Sequence, residues 1–159
     1  MPPLVLVGYT LVTNVCASNA ILGSNHKVTS VTEMLVSPSL GLAHPVWMER
    51  FPWLCQGCTI RSVDGVPYDF GFFSGGSSTE SVQENWSTLM DVTGATSIAH
   101  GHQVHGTKIF KHETTSIGLN VFPDCDGHVT NSVGVFLAVT TADCVPIFLV
   151  DPDRRAIAV

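Results

Sequence analysis

From Thr79 to Val159 the sequence sets one amphipathic segment ahead of a train of short apolar runs, an order that few layered folds accommodate. Thr79 to Gly94 carries Val82, Trp86, Leu89 and Met90 at i, i+4, i+7 and i+8, a single stripe on a helix. Thr79 or Ser81 suits its start, Ser81 and Glu84 have capping-box spacing, and Gly94 suits its end. The runs Ser97 to Val104, Thr107 to Lys111, Val133 to Val139, Val145 to Val150 and Ala156 to Val159 have strand length. Turn-rich pieces such as Pro123-Asp124-Cys125-Asp126-Gly127 and Asp151-Pro152-Asp153 separate them. The pattern predicts a mixed α/β (α+β) domain with a β-sheet core flanked by helices.

At 159 residues and 45% hydrophobic, the chain can bury the core of one domain. Only 13% of it is charged, against about 25% in average soluble proteins; an incomplete chain or a homo-oligomer would account for the difference. Seven basic against 13 acidic residues leave a net charge of −6, which excludes the basic field that nucleic-acid binding needs. The apolar N-terminus is interrupted by Thr10, Thr13, Asn14, Ser18 and Asn19, and no Lys or Arg precedes Lys27. A membrane span is therefore not expected, and a secretory signal is the lesser alternative, resting on Ala17-Ser18-Asn19-Ala20 as a small-residue cleavage site. Five cysteines, an odd number at wide spacings, read as reduced thiols of a cytoplasmic protein.

Residues 1–47 carry only Lys27 and Glu33 as charges and hold neither a period of 2 nor one of 3.6. They are expected to form an extension that packs poorly or is disordered, with the domain over 48–159 and Met48 as a candidate start. Ala156 to Val159 ends the sequence inside an apolar strand pattern. The expectation is a domain cut before its C-terminal part, with that last strand unpaired or at the end of a sheet.

Three histidines, His100, His102 and His105, fall within six residues. Strand alternation puts the first two on one face and the third on the other, so His102 and His105 share a site only if the strand ends or bulges between them. Imidazole ligates metals and titrates near neutral pH, and a strand end with one satisfied buried histidine is an equal reading. Cys144 lies where one apolar run gives way to another, next to Asp143, a placement that suits either an active-site turn or a buried inert thiol. Cys55 and Cys58 form a lone C-x-x-C in a stretch that reads as strand, without the second pair a zinc ribbon needs. Gly75-Gly76 lacks the spacing of a phosphate-binding loop.

Gln103-Val104-His105-Gly106, the Asp126-Gly127-x-Val129-Thr130 segment and the run from Thr141 to Asp151, TADCVPIFLVD, together resemble the laccase-domain family. Its members are also called multicopper polyphenol oxidase-like proteins and act as purine nucleoside phosphorylases. Upstream, Gln56 to Arg61 is similar to the family's strand ending in Thr-x-Arg, Asp69-Phe70-Gly71 to its next loop, and Glu84-Asn85-Trp86 to its helix. The resemblance covers about residues 51 to 159 and implies a laccase-domain-like fold.

The resemblance also implies one catalytic metal, zinc with copper as the alternative, held by His105, Cys144 and a further histidine of a His-Ala-Gly-Trp-Arg-Gly motif that would follow Val159. His105 and Cys144 are then expected within metal-bridging reach of each other. Asp143 would orient the Cys144 loop or a substrate hydroxyl, Arg61 would meet phosphate or ribose, and Gln103 would lie at the substrate. Val63-Asp64-Gly65 stands where the family has a Gly-Gly pair. The implied reaction is phosphorolysis of adenosine, inosine, guanosine or methylthioadenosine, with adenosine deamination in the same pocket. An inactive truncated product is the first alternative. A copper polyphenol oxidase is the second, and seven histidines with two recognisable ligands do not supply its several copper centres.

Overall fold

Along the chain the elements run β1 (Leu4–Thr10), β2 (Met34–Ser37), β3 (Gly41–Ala43), α1 (Pro45–Arg50), β4 (Leu54–Thr59), β5 (Ser62–Val63), β6 (Val66–Pro67) and α2 (Thr79–Thr93). They continue with β7 (Ser97–Gly101), β8 (Ile109–His112), β9 (Gly118–Phe122), β10 (Gly127–Thr130), β11 (Val135–Thr141), β12 (Leu149–Asp151) and β13 (Ala156–Ala158). The structure, a computed structural model, describes residues 4–10, 34–37, 41–59, 62–63, 66–73, 76–142 and 144–159.

A seven-stranded sheet has the order β2-β3-β4-β1-β11-β7-β9, a four-stranded sheet the order β12-β13-β10-β8, and β5-β6 form a ribbon. Within the larger sheet β4, β1, β11, β7 and β9 are mutually parallel, so their carboxyl ends share one edge. Strand β11 is buried on both faces, which is why its sequence is a continuous apolar run rather than an alternating one. Phe136 and Ala138 pack with Ile98 against Val82, Trp86 and Leu89 of α2, together with Tyr68 and Phe70. The opposite face gives Ala99, Val135 and Leu137 to a second core with Ile157, Phe51 and Leu54. Helix, large sheet and small sheet thus form the mixed α/β architecture that the sequence pattern predicts.

Two expectations change in detail. The helix cap is Ser78, whose hydroxyl accepts from the Ser81 N–H at 3.2 Å; Ser78 keeps an extended backbone while Thr79 is already helical. At the other end Gly94 takes φ +67°, the left-handed closure that glycine permits. Strands β9 and β10 were not expected, because Asn120 and His128 interrupt their apolar pattern. Both are held in parallel ladders, and the Asn120 amide donates back to the Ile98 and Gly118 carbonyls.

Within 1–47 the described strands β1, β2 and β3 belong to the larger sheet. Strand β1 pairs in parallel with β4 on one side and β11 on the other, and a strand so flanked needs no alternating period. Residues 11–33 and 38–40 lie outside the described residues. The last strand is likewise not an open edge. Strand β13 pairs antiparallel with β12 and with β10, and Val159 exchanges both backbone hydrogen bonds with His128 at 2.8 and 3.0 Å. Ile157 is buried in the second core.

Candidate active site

In open α/β sheets, groups that act on ligands gather beyond the carboxyl ends of parallel strands. The loop after β7 carries Gln103 and His105, the loop after β9 carries Asp124 and Asp126, and the turn after β11 carries Cys144. Strand topology therefore brings to one sheet edge three loops that are far apart in sequence. Arg61 and Asp143 lie outside the described residues.

Gln103 joins two of these loops. Its Nε2 donates to the Thr140 carbonyl at 2.9 Å, and its Oε1 accepts from the Thr140 N–H at 2.7 Å and the Thr140 hydroxyl at 2.9 Å. The amide thus pairs with the main chain at the end of β11, just before Cys144. The side chain thereby anchors the β7 loop to the β11 turn.

Strand β7 ends at Gly101, so the alternation that would separate His102 from His105 stops before either. His105 is exposed in a turn at φ 58°, left-handed backbone that costs a non-glycine residue about 1–2 kcal/mol. The Asp126 carboxylate accepts the N–H groups of Val104, His105 and Gly106 at 3.1, 2.7 and 2.9 Å. Burial alone would push this carboxyl up; the hydrogen bonds from Gly106, Val104 and His105, with the charge of the His105 ring, outweigh it and hold the group below its usual range. Main-chain bonds from Cys125 N–H to the His102 carbonyl and from Asp126 N–H to the Lys108 carbonyl, 2.9 and 3.1 Å, lay the two loops side by side. His102 packs its ring on Phe73 at 4.2 Å between centroids and sets Nδ1 3.4 Å from Asp124.

The close approach of these loops begins at Gly101, where a Cβ would run into the Cys125 carbonyl oxygen and come within 3.1 Å of the Cys125 Cβ. Gly101→Ala is expected to cost about 1–3 kcal/mol as the β9 loop is forced away. A lower denaturation midpoint at unchanged slope is the signature; an unmoved midpoint would mean that the loop yields freely.

Other histidines turn inward. His100 is 1% exposed, with Nδ1 3.4 Å from the Ala138 carbonyl and Nε2 without a partner, and burial pushes its pKa down to about 4. His112 Nε2 and His128 Nδ1 lie 2.8 Å apart, one donating to the other, beside the Cys125 thiol, which donates to the Gly127 carbonyl at 2.9 Å. Burial lowers both of these imidazoles, His128 to about 3 with added repulsion from His112 and His100. Cys55 and Cys58 lie three apart on β4, where strand geometry sends their side chains to opposite faces. Cys144 is exposed at the turn. Sequence reasoning missed the structural roles of Asp126, His112 and His128. An Asp-Gly pair at a strand start was the visible signal for the first, and nothing local marked the histidine pair.

Among the described residues no group of three or more His, Cys, Asp or Glu side chains is arranged to hold a metal ion. Imidazole and thiol are the donor types zinc and copper favour, yet two ligands do not complete a catalytic centre. The described residues therefore do not by themselves fit a resident metal.

Parallel-sheet topology with polar and titratable groups collected beyond the strand ends defines an α/β protein whose candidate site lies at that edge. The chain belongs to the multi-copper polyphenol oxidoreductase laccase family, whose model matches residues 67–159. It is 37% identical over 112 residues to a purine nucleoside phosphorylase of Xylella fastidiosa strain 9a5c, covering 64% of this chain and 43% of that protein. A purine nucleoside phosphorylase of Rickettsia conorii is 35% identical over 76 residues, 48% of this chain and 30% of the relative. The chain thus spans less than half the length of these curated relatives. No solved structure matches it significantly. Among the described residues no helix is long and apolar enough to cross a membrane.

Proposed function

We propose that this chain forms part of a purine nucleoside phosphorylase acting on adenosine, inosine, guanosine or methylthioadenosine, with adenosine deamination in the same site. The observation that carries this reading is the union of the Gln103 to Gly106 loop with the end of β11 through Gln103 and Thr140, in a chain whose relatives bear that name. Phosphate would attack the ribose C1′ as the bond to the purine nitrogen breaks, giving ribose 1-phosphate and the free base. Arg61 is assigned to the phosphate, Asp143 to a sugar hydroxyl or the Cys144 turn, and Gln103 to holding the two loops in register. His105 and Cys144 are assigned as two ligands of a zinc ion, or of copper, with the remaining ligand outside the described residues. Such an ion, when bound, polarises a substrate oxygen or activates water. The reading carries a cytoplasmic setting and a homo-oligomer, with neither nucleic acid nor membrane as partner.

A copper polyphenol oxidase has the family's printed name in its favour. Against it, His44, His100, His112 and His128 are buried, which leaves His102 and His105 as the described histidines that reach solvent. That is too few for several copper centres.

The test is phosphate-dependent release of adenine from adenosine with added zinc, on this chain and on the chain extended through a His-Ala-Gly-Trp-Arg-Gly segment. Turnover is expected from the extended protein, falling by on the order of 10²-fold or more in His105→Ala and Cys144→Ala. No base release from any of the four nucleosides at either length would overturn the reading.

A further inference from the structure

We propose that Asp126 is the positioning residue for His105: its carboxylate fills the concavity made by three successive N–H groups and sets the left-handed turn that presents the imidazole. The proposal rests on the reading of His105 as a functional residue. The geometry itself is independent of that reading.

Successive N–H groups that converge in a turn form a ready anion cradle. At Val104, His105 and Gly106 that cradle is filled from within the chain, by both oxygens of Asp126. The turn would otherwise be unfavourable, because His105 sits at φ 58° on a loop with no strand ladder of its own. The main chain of Asp126 also donates to the Lys108 carbonyl, so one residue holds the loop on both sides of His105. The Asp126 Oδ2 lies so close to Gly106 that a Cβ added at that position would come within 3.3 Å of it. Gln103 anchors the same loop to Thr140 from the other end. Between them the two side chains hold His105 from both directions.

Two readouts test this on the full chain and on its extended form. Amide hydrogen exchange by NMR should show Val104, His105 and Gly106 protected, with that protection lost in Asp126→Ala and partly kept in Asp126→Asn. Asparagine retains the oxygen that Val104 and His105 share but turns a donor toward Gly106. Amides of Ile98 and Leu137 report that the variants remain folded. Asp151→Ala removes a similar carboxylate turn, at the Asp153 and Arg154 N–H groups, and should leave residues 104–106 unaffected. In the assay, Asp126→Ala should lower kcat by roughly 10²-fold with little change in KM, the cost of a misplaced group rather than of lost substrate binding. Asp126→Asn should fall between the two.

Unchanged exchange at 104–106 in Asp126→Ala would overturn the proposal. So would loss of protection in a variant whose kcat equals that of the parent. If the extended parent releases no base while the amide pattern behaves as described, the turn assignment stands and the phosphorylase reading falls.

Discussion

Acidification from pH 6.5 to 4.5 is expected to remove several kcal/mol of stability, a large share of the ~5–15 kcal/mol typical of a folded domain. His100 and His128 are 1% and 0% exposed, and burial lowers them from 6.5 to about 4 and about 3. Between those values and 6.5 the unfolded chain binds protons that the folded chain excludes, so stability rises with pH in that window and is lost as pH falls through it. Each histidine contributes about 1.4 kcal/mol per pH unit there. His112, also lowered by burial, adds to the same slope. Urea denaturation at pH 7.5, 5.5 and 4.5 reads the effect directly. His100→Phe provides the control: it loses the 3.4 Å contact of Nδ1 with the Ala138 carbonyl, a loss that moves the midpoint at neutral pH, while Nε2 has no partner among the described residues; the slope should drop by about one histidine's share. A midpoint that stays flat from pH 7 to pH 5 would refute the account.

Trp86→Ala is expected to destabilise by about 3–5 kcal/mol, the range for removing a large buried aromatic. Trp86 is 1% exposed and meets Phe70 edge-on at 5.1 Å, Phe72 in parallel at 6.5 Å and His100 at 5.1 Å between ring centroids. Its indole N–H donates to the Phe70 carbonyl at 3.0 Å, and Asn85 beside it donates to the Asp69 carbonyl at 2.7 Å. The helix therefore fixes the segment that delivers Phe73 to His102. Trp86→Phe keeps much of the packing and removes the hydrogen bond, so it should cost appreciably less. Equal losses in the two variants would show that the bond, not the ring, dominates.

Local chemistry made some parts legible before any fold was known. The stripe of Val82, Trp86 and Leu89 named both the helix and its buried face, because a 3.6-residue period reports directly on one side of a cylinder. The runs that became β7, β8, β11, β12 and β13 were visible as strands, although only Leu149–Asp151 of the run from Val145 is laddered. Strand β1 was illegible because a strand with parallel partners on both sides shows no alternation that could mark it.

The sequence by itself determined the fold class, the core face of α2, the acidic balance and the motifs that carry the family membership. Those depend on composition and on periods spanning a few residues. Only the tertiary structure decided strand order, the pairing of β13 on both sides, the inward turn of His112 and His128, and the hydrogen-bond partners of Gln103 and Asp126. Each of these depends on partners remote in the chain: Gln103 meets Thr140 across 37 positions, Asp126 meets His105 across 21, and His112 meets His128 across 16. A side chain's chemistry says what it can bond to. Which group it reaches is set by strand register, and register is a property of the assembled sheet.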